Sequence, residues 1–397
     1  MNLDIGKFDR NELKQNQIMY TFQNGDKLHF HKRGIWIEFS EKRRVISTSV
    51  LNGGVREDLE GVFNYNCLAD RYECILVEDT YEKELLSNAK EIGLDSEKIS
   101  GLSTAAWMEQ VAIQQETFDG LQVTAIVTGG VDKNAVRVGD QASFYEKDGA
   151  FFMIDAKEKV KHGTINIMLY INKNLPPGVL TRALVTCSEA KVAAMQELMI
   201  GSLYSEGLAT GSGTDGTMII ADSSSSDCLT NAGEHSKLGE LIGRTVKNAV
   251  KEALYRQTGA CGARQHKLTE RGKRYGLTLG SVWCCYVEQK QVFEELLGSS
   301  FSSLCELEER LLYLDTDSSA VVWLSLYLHL LDQYNWGLLE WGEVTREARQ
   351  VTEALLRIDS PKIVDWIFTI NLENRIETEL IESAKRSILY LLSPGEK

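Results

Sequence analysis

Apolar residues follow two different periods along this chain. In the first two thirds, short β-branched segments bounded by Gly, Asn or Asp predict strands. Two stretches in the same part, one after Pro176-Pro177-Gly178 and one after His235, have apolar residues at helical spacing. Beyond about residue 280 nearly every segment has the 3.6-residue period of a helix, without a fixed-length repeat. The strand segments are residues 34–39, 44–50, 122–127, 164–171 and 217–221, and the C-terminal helical segments are 321–334, 344–358, 363–372 and 376–392.

This pattern predicts an α/β N-terminal part, in which helices pack on an α+β layered sheet, followed by an all-α C-terminal part. Charge divides the chain in the same place. Residues 1–260 have a net charge of −8, residues 261–280 of +4 and residues 281–397 of −10. Five of the seven tryptophans also lie in the last part. We therefore expect a domain at 1–260, a basic linker at 261–280 and an acidic helical domain at 281–397.

Composition excludes several classes of protein. With 43% apolar and 25% charged residues among 397, the chain has the composition of a folded protein with more than one core. A net charge of −14 argues against nucleic-acid binding. No apolar run reaches the roughly 18 residues of a membrane span, and the opening residues show no hydrophobic leader. Eight irregularly spaced cysteines are typical of reduced thiols. We therefore expect a cytoplasmic protein.

Polar, glycine-rich loops beside the predicted strands are the candidate site. Residues 47–54 and 128–140 each follow a strand, and residues 210–216 precede one. Glycine lets backbone amides converge on a ligand, because it has no Cβ and adopts positive φ readily. A tight turn explains any single loop equally well, but three such loops in one domain favour a binding site. The segment 211–215 is too short for a P-loop and lacks its lysine.

The cysteines and histidines do not form a metal-binding pattern. The vicinal pair Cys284-Cys285 is not a CxxC motif, and the six histidines include no HxxxH pair. His29 and His31 face the same side of a predicted strand, which we interpret as a surface pair. The sequence therefore predicts no metal site and no cofactor.

His235 is the histidine with the best position for acid–base chemistry. It lies at the start of a predicted helix, where the helix dipole disfavours the imidazolium and leaves a neutral ring that can act as a base. A capping or surface role explains it equally well. His162 is a weaker candidate, because the sequence gives it no clear partner.

Seven sequence blocks follow one another in a specific order. They are SVLNGG (49–54), TGGVDKNA (128–135) with VGD (138–140), GTINI (163–167), LPPG (175–178), EAKVAA (189–194), GSGTD (211–215) and GEHSKLGELIGR (233–244). This series resembles the adenosylcobinamide amidohydrolase family of corrinoid salvage, over about residues 35–255. Ser212 stands where family members often have threonine, which keeps a hydroxyl. The helical part beyond about residue 260 lies outside the usual extent of the family.

The resemblance implies hydrolysis of the amide between a corrin propionyl group and aminopropanol, giving adenosylcobyric acid and aminopropanol or its phosphate. The cobalt corrinoid is then a substrate. Such a reaction needs an attacking oxygen, donors for the oxyanion and an acid for the departing amine. Ser212, Thr214 or Asp215 would supply or orient the attacking oxygen, and His235 would carry the proton. The residues expected to bind the oxyanion or the corrin are Asn134, Asn166, Gly211 and Gly213, together with Asn52, Gly53 and Gly54.

The attacking group stays open between a hydroxyl and an activated water, because neither a Gly-x-Ser-x-Gly elbow nor a Ser/His/Asp order is present. Glu189 and Lys191 lie on one predicted helix, where they either pair with each other or face the ligand. We favour the pairing.

Two other classes of function remain as hypotheses. The first is a non-catalytic corrinoid carrier or sensor on the same scaffold, against which the presence of Asp215, His235 and Asn134 argues. The second places the function in the C-terminal helices, as a surface for a protein partner or for self-association. Leucine and aromatic residues at helical spacing more often form a core, and this favours an accessory role for that part.

Overall fold

The computed structural model describes residues 17–31, 33–68, 77–94, 96–147, 150–154, 163–371 and 375–393. His162 lies outside these residues. The chain divides into two compact units, Met1–Cys261 and Gly262–Lys397. The first unit contains mixed sheets with helices and the second is helical, so the predicted fold class is confirmed.

The first unit contains strands that the apolar pattern predicts and others that it misses. All five predicted strands are present, as β3, β4, β9, β12 and β13, and both predicted helices are present, as α2 and α3. The described strands are β1 Gln17–Thr21, β2 Lys27–His31, β3 Gly34–Glu38, β4 Arg44–Ser47, β5 Gly54–Arg56, β6 Gly61–Asn66, β7 Ile99–Thr104, β8 Ala112–Phe118, β9 Leu121–Gly130, β10 Phe144–Lys147, β11 Ala150–Met153, β12 Thr164–Ile171 and β13 Gly216–Ala221, and the helices are α1 Tyr81–Glu91, α2 Pro177–Glu197 and α3 Lys237–Thr258.

Among the described residues, six strands form the larger sheet in the order β5-β4-β13-β12-β9-β8, and five form a second sheet in the order β1-β2-β3-β6-β7. In the larger sheet β12 and β13 run parallel, with Asn166 opposite Gly216. Their neighbours β9 and β4 run antiparallel to them. The amino ends of β12 and β13 therefore meet the carboxyl ends of β9 and β4 at one edge of the sheet.

Alternate residues of β12 enter two different cores, since successive side chains of a strand point to opposite faces. Ile167 and Leu169 pack with residues of α2 and α3. Met168 and Tyr170 pack with residues of the five-stranded sheet. The strand is covered on both faces, which explains why its sequence is an almost continuous apolar run.

Local capping fixes where the two long helices begin and end. Pro177 occupies the first turn of α2, where its missing N–H is not needed. The Ser236 side chain accepts a hydrogen bond from the Gly239 amide at the start of α3. Gly259, with φ 73°, ends α3 in the left-handed conformation.

In the second unit the helices are α4 Gly262–Gln265, α5 Leu268–Gly272, α6 Leu279–Leu297, α7 Leu304–Leu314, α8 Ser318–Asn335, α9 Trp341–Leu356, α10 Pro361–Ile367 and α11 Ile376–Leu392. Trp323 and Trp366 belong to its core, as expected for apolar residues at helical spacing. Trp336 and Trp341 do not, since they are 49% and 45% exposed.

The basic segment 261–280, which we expected to be a linker, is largely helical, and from Gly262 onward it forms part of the second unit. Leu268, Tyr275 and Leu277 are buried in the core of that unit. Arg274 donates to both carboxylate oxygens of Asp332, at 2.6 Å each. The basic residue Arg274 thus pairs with an acidic residue of α8, and the buried apolar residues between the charges anchor the segment in the core of the second unit.

Two further expectations concern the cysteines and the membrane. Cys67 is disulfide-bonded, so the expectation of uniformly reduced thiols is wrong for this residue. Among the residues that the structure describes, the free cysteines are Cys187, Cys228, Cys261, Cys284, Cys285 and Cys305. Within the described part of the chain, no helix has the length and apolar character needed to cross a membrane.

Candidate active site

Asp215 is the centre of a hydrogen-bonded cluster at the edge where β12 and β13 begin. Its Oδ1 accepts a hydrogen bond from the Ser212 hydroxyl at 2.5 Å and one from the Ile165 amide at 2.9 Å. Its Oδ2 lies 2.5 Å from Lys191 Nζ, on the helix that covers this part of the sheet. A hydroxyl, a carboxylate and an ammonium group are thus joined in series.

The glycines of the loop 211–215 make this cluster sterically feasible. A Cβ on Gly211 would lie 2.1 Å from Asp215 Oδ2 and 3.0 Å from Lys191 Nζ, so only glycine leaves room for the ion pair. Gly213 has φ +78°, which glycine adopts at little cost. Gly211 and Gly213, which the sequence analysis expected to bind substrate, therefore both shape the loop.

Thr214 and Asn134 connect this loop to its neighbours. The Thr214 hydroxyl is exposed, donates to the Gly163 carbonyl at 2.8 Å and lies 3.4 Å from the Ser212 hydroxyl. Asn134 Nδ2 donates to the carbonyls of Gly163 and Ser212. Because both amide hydrogens of Asn134 are engaged in this way, its side chain holds the loops together and has no spare donor for an oxyanion.

Asn166 is buried at the same edge, and its side-chain amide makes all its hydrogen bonds within the protein. Its Nδ2 donates to Asn64 Oδ1 at 2.8 Å and to the Ser103 carbonyl at 2.9 Å, and its Oδ1 accepts from the Gly216 amide at 3.1 Å. Asn64 in turn donates to Thr128. Asn166 thus links the two sheets beneath the site rather than facing a ligand.

The loop that contains Asn52, Gly53 and Gly54 lies at this edge without bonding to the cluster. It follows Thr48, whose hydroxyl accepts a hydrogen bond from the Thr217 amide at 3.0 Å. Asn52 has φ 50° and donates to the carbonyls of residues 97 and 99, at 2.8 and 2.7 Å. A Cβ on Gly53 would lie 1.9 Å from the carbonyl oxygen of residue 49. This packing holds the loop against β7.

The structure does not bring His235 to Asp215. His235 is exposed and precedes the first turn of α3, where Lys237 Nζ lies 4.7 Å from the centroid of the Phe118 ring. Phe118 pairs with Leu121 at the start of β9, whereas the cluster lies near Gly130 at its end. Nine residue steps of about 3.3 Å separate these ends by ~30 Å. His235 does lie just before a helix, as the sequence predicts, but the direction of that helix carries it away from the loop.

Glu189 and Lys191 do not pair with each other, contrary to our interpretation. Lys191 binds Asp215, whereas Glu189 lies 3.9 Å from Arg182 and shares a hydrogen bond with Glu234. That hydrogen bond raises the pKa of Glu189 and lowers the pKa of Glu234 to about 2. Residues two apart on a helix point in different directions, which explains the different partners. The sequence signal for Lys191 was its place in the EAKVAA block.

The thiol nearest to this lysine along α2 is not a nucleophile. Cys187 lies one turn before Lys191 and is fully buried. Burial raises the pKa of its thiol to about 12, although the positive charge of Lys191 opposes the shift. The thiol is therefore protonated near neutral pH, and a protonated thiol is a poor nucleophile.

No group of three or more His, Cys, Asp or Glu side chains in the described ranges is placed to hold a metal ion. The groups that the cluster does offer are a hydroxyl, a carboxylate and an ammonium, from which hydrolytic sites are commonly built. A hydrolase is therefore the class of enzyme that this cluster, at the sheet edge of an α/β unit, favours.

Comparison with known proteins narrows this class. The family model described as adenosylcobinamide amidohydrolase (CbiZ) matches residues 19–262. A protein from Methanocaldococcus jannaschii, described as uncharacterized, is 38% identical over 226 residues, which is 56% of this chain and 85% of that protein. The chain belongs to the adenosylcobinamide amidohydrolase family, as the sequence blocks predicted. The family match ends where the first compact unit ends.

A solved structure also resembles this chain weakly. A protein from Pyrococcus horikoshii superposes with a TM-score of 0.28 and 12% sequence identity, over 61% of this chain and 81% of that one. This similarity is too low to carry a structural argument.

Proposed function

We propose that the first unit hydrolyses the amide bond between the corrin propionyl group and aminopropanol in adenosylcobinamide, with Ser212, Asp215 and Lys191 as the reacting groups. Membership of an amidohydrolase family supports the reaction class. The observation that carries the site is the continuous chain from the Ser212 hydroxyl through the Asp215 carboxylate to Lys191 Nζ, with both contacts at 2.5 Å.

The first half of the reaction forms an acyl-enzyme. The Ser212 oxygen attacks the amide carbonyl while its proton passes to Asp215, the carboxylate to which it already donates. The carbon–nitrogen bond then breaks, and Lys191 gives a proton to the departing aminopropanol nitrogen. Lys191 regains a proton from Asp215 through their ion pair. The propionyl carbon is left as an ester on Ser212.

The second half releases the acid. Water attacks the ester carbonyl and loses a proton to Asp215, and the Ser212 oxygen leaves with that proton. The net reaction consumes one water and produces a carboxylic acid and an amine. Gly213 and Thr214 are exposed residues of this loop, and we assign the oxyanion to the backbone amide of Gly213, since the Thr214 amide lies 3.4 Å from the Ser212 hydroxyl oxygen.

The test is a product assay on the full-length chain with adenosylcobinamide, followed by mass spectrometry of released aminopropanol and adenosylcobyric acid. Ser212→Ala and Asp215→Asn remove the attacking hydroxyl and the carboxylate charge with little change of volume, so both should abolish turnover. Glu189→Gln is the matched control, because Glu189 lies on the same helix as Lys191 but contacts Arg182. Normal rates in both Ser212→Ala and Asp215→Asn would overturn the site.

The same assay separates catalysis from simple corrinoid binding. If the chain is a carrier or sensor, it retains a coloured corrinoid after gel filtration and releases no aminopropanol. Trapping a propionyl ester on Ser212 with a slowly hydrolysed substrate analogue, detected by peptide mass, would in addition distinguish an attacking hydroxyl from an attacking water.

A further inference from the structure

Two exposed aromatic side chains border the sheet edge at which the candidate active site lies. They are Trp107, which is 45% exposed, and Tyr81, which is 43% exposed. Single exposed apolar residues are ordinary on a protein surface. The position of these two rings relative to the reacting groups therefore decides whether they have a role.

Trp107 is connected to the candidate active site by a series of direct contacts. Its backbone amide donates to Gln257 Oε1 at 3.1 Å, near the end of α3. A Cβ on Gly130, the last residue of β9, would lie 3.3 Å from Gln257 Cγ. Gly130 pairs with Thr164, whose hydroxyl donates to the Thr214 carbonyl at 2.6 Å. Trp107 thus lies at the rim of the site, beside the larger sheet.

Tyr81 reaches the same edge from the second sheet. It is the first residue of α1, and its hydroxyl is hydrogen-bonded to Ser103. The Ser103 carbonyl accepts from Asn166, which also binds the amide of Gly216, the residue after Asp215. Burial of the hydroxyl end raises the pKa of Tyr81, so the phenol stays neutral. The ring is therefore held at its polar end while part of its apolar surface remains exposed.

The segment around Trp107 is anchored on both sides. Ala106 and Met108, its neighbours in the chain, are 4% and 0% exposed. The Ala106 amide donates to the Thr104 hydroxyl at 3.0 Å. The indole therefore projects outward from a fixed backbone, and a ligand that binds to it costs little additional side-chain entropy.

The chemistry of adenosylcobinamide places an apolar surface next to this rim. Only three carbon–carbon bonds of about 1.5 Å each separate the scissile carbonyl carbon from the macrocycle, so the ring begins within ~5 Å of that carbon. One strand lies between β9 and β13, so the ends of these two strands at this edge are ~10 Å apart. The corrin is much broader than its propionyl chain. With the carbonyl at Ser212, the macrocycle must therefore lie over the rim.

We propose that Trp107 and Tyr81 form the platform on which the corrin macrocycle rests, with the Trp107 indole against its face and the Tyr81 ring at its edge. The inference rests on the proposed function, because the scissile amide at Ser212 sets the position of the macrocycle. The two aromatic residues bind the substrate and take no part in proton transfer. Since they contact a part of the substrate that does not react, they stabilise the bound substrate and the transition state equally, which affects KM and not kcat.

Steady-state kinetics of the full-length chain with adenosylcobinamide test the platform. Trp107→Ala should raise KM about fivefold or more and change kcat less than about twofold. Trp107→Phe keeps an aromatic face and should recover most of the loss, which a damaged fold would not give. Phe118→Ala is the matched control, because Phe118 is 52% exposed and pairs with Leu121 at the opposite end of β9. An unchanged KM in Trp107→Ala, or a lower kcat at constant KM, would overturn the proposal.

Tyr81 is tested by a second pair of variants. Tyr81→Phe keeps the ring and removes the hydroxyl, so its KM should stay close to that of the unmodified chain. Tyr81→Ala removes the ring and should raise KM about threefold or more. Equal KM values for the two variants would exclude the Tyr81 ring from the platform.

A binding measurement separates the platform from the hydrolysis. Equilibrium dialysis of the Ser212→Ala chain against adenosylcobyric acid, read by the visible absorbance of the corrin, needs no turnover. Adding Trp107→Ala should weaken this binding about fivefold or more. If the unmodified chain releases no aminopropanol but binds the corrinoid through Trp107, the proposed hydrolysis fails and the platform stands. Normal turnover together with binding that does not depend on Trp107 would overturn the platform alone.

Discussion

Lys191 Nζ lies 2.5 Å from Asp215 Oδ2, and this ion pair fastens the helix α2 to the loop that precedes β13. Both side chains are mostly shielded from water, at 16% and 11% exposure. The same carboxylate accepts a hydrogen bond from the Ser212 hydroxyl. One carboxylate thus orders the loop and links the Ser212 hydroxyl, the proposed attacking group, to Lys191, the proposed proton donor. If both proposals hold, the pair has separable effects on stability and on the reaction.

Replacing Lys191 by Met should damage both functions of the pair. The Asp215 charge would remain shielded without its cation, which should lower the free energy of unfolding by about 3 kcal/mol. Loss of the proton donor should lower kcat by about 10²- to 10⁴-fold. Urea unfolding and steady-state release of aminopropanol measure the two effects. Lys191→Arg keeps the positive charge and should recover stability more than kcat; equal recovery of both would argue for a purely structural lysine.

Gly211→Ala should displace the ion pair, because the new Cβ would lie 2.1 Å from Asp215 Oδ2. We expect a loss of about 1–3 kcal/mol of stability from overpacking and a severe loss of turnover. Gly178→Ala is the control, since a Cβ there meets no atom within 4 Å and replaces glycine in the first turn of α2. The control should keep its activity and gain about 0.5–1 kcal/mol from the better helix former. Similar behaviour of the two variants would contradict the steric argument.

Acid should destabilise the first unit in part through Asp222. Burial alone would raise the pKa of Asp222, but hydrogen bonds from Ser224 and Asn24 and the charge of Arg43 hold it below the ordinary value of 3.8. A folded-state pKa below the unfolded-state pKa means that ionised Asp222 stabilises the fold above about pH 3.8, and that this stabilisation disappears as the pH falls through the folded-state pKa.

The measurement is the free energy of unfolding between about pH 5 and pH 3. Asp222→Asn cannot be protonated, so its stability should depend less on pH in this window than that of the unmodified chain. Asp119→Asn is the control, because Asp119 is exposed and asparagine tolerates its φ of 45°. An equal pH dependence in the Asp222 variant and the unmodified chain would contradict the prediction.

Cutting the chain after Cys261 should leave a folded, active first unit, because its cores contain no residue beyond Ala260. Circular dichroism and the aminopropanol assay test this fragment. A fragment that ends at residue 280 is the comparison, since it retains Leu268, Tyr275 and Leu277 without the rest of their core. We expect that longer fragment to bind a hydrophobic dye such as ANS and to aggregate. Loss of turnover in the 1–261 fragment would show that the helical unit contributes to the reaction.

Much of the fold follows from local sequence patterns. The apolar run at residues 164–171 predicts β12 with its observed bounds, and apolar periodicity after His235 predicts α3. The strands that the sequence analysis missed, such as β1 and β7, lack a long apolar run. β1 is exposed or half-buried at every position, whereas β7 is almost entirely buried although serine, glycine and threonine make up four of its six residues. β1 pairs with the next strand along the chain, whereas β7 pairs with β6 beyond the intervening helix α1, with Ile99 opposite Gly61.

The candidate site was only partly predictable. The order of the sequence blocks identified the loop with Ser212, Thr214 and Asp215, and the structure unites these residues with Asn134. In the structure Asn166 has a structural role, and His235 lies toward the other end of the sheet. The sequence analysis assigned Lys191 to the wrong partner, since residue spacing along α2 does not reveal which strand the helix covers.

Periodicity, capping residues and charge segregation depend on neighbours in the chain, so the sequence by itself determined the two-part architecture, the main helices and strands and the loop that carries the hydroxyl and the carboxylate. The Lys191–Asp215 pair and the packing of residues 262–280 into the helical unit join residues that are distant in sequence. Only the tertiary structure decided them, because the direction in which each helix crosses the sheet and the shape of each core set which side chains meet.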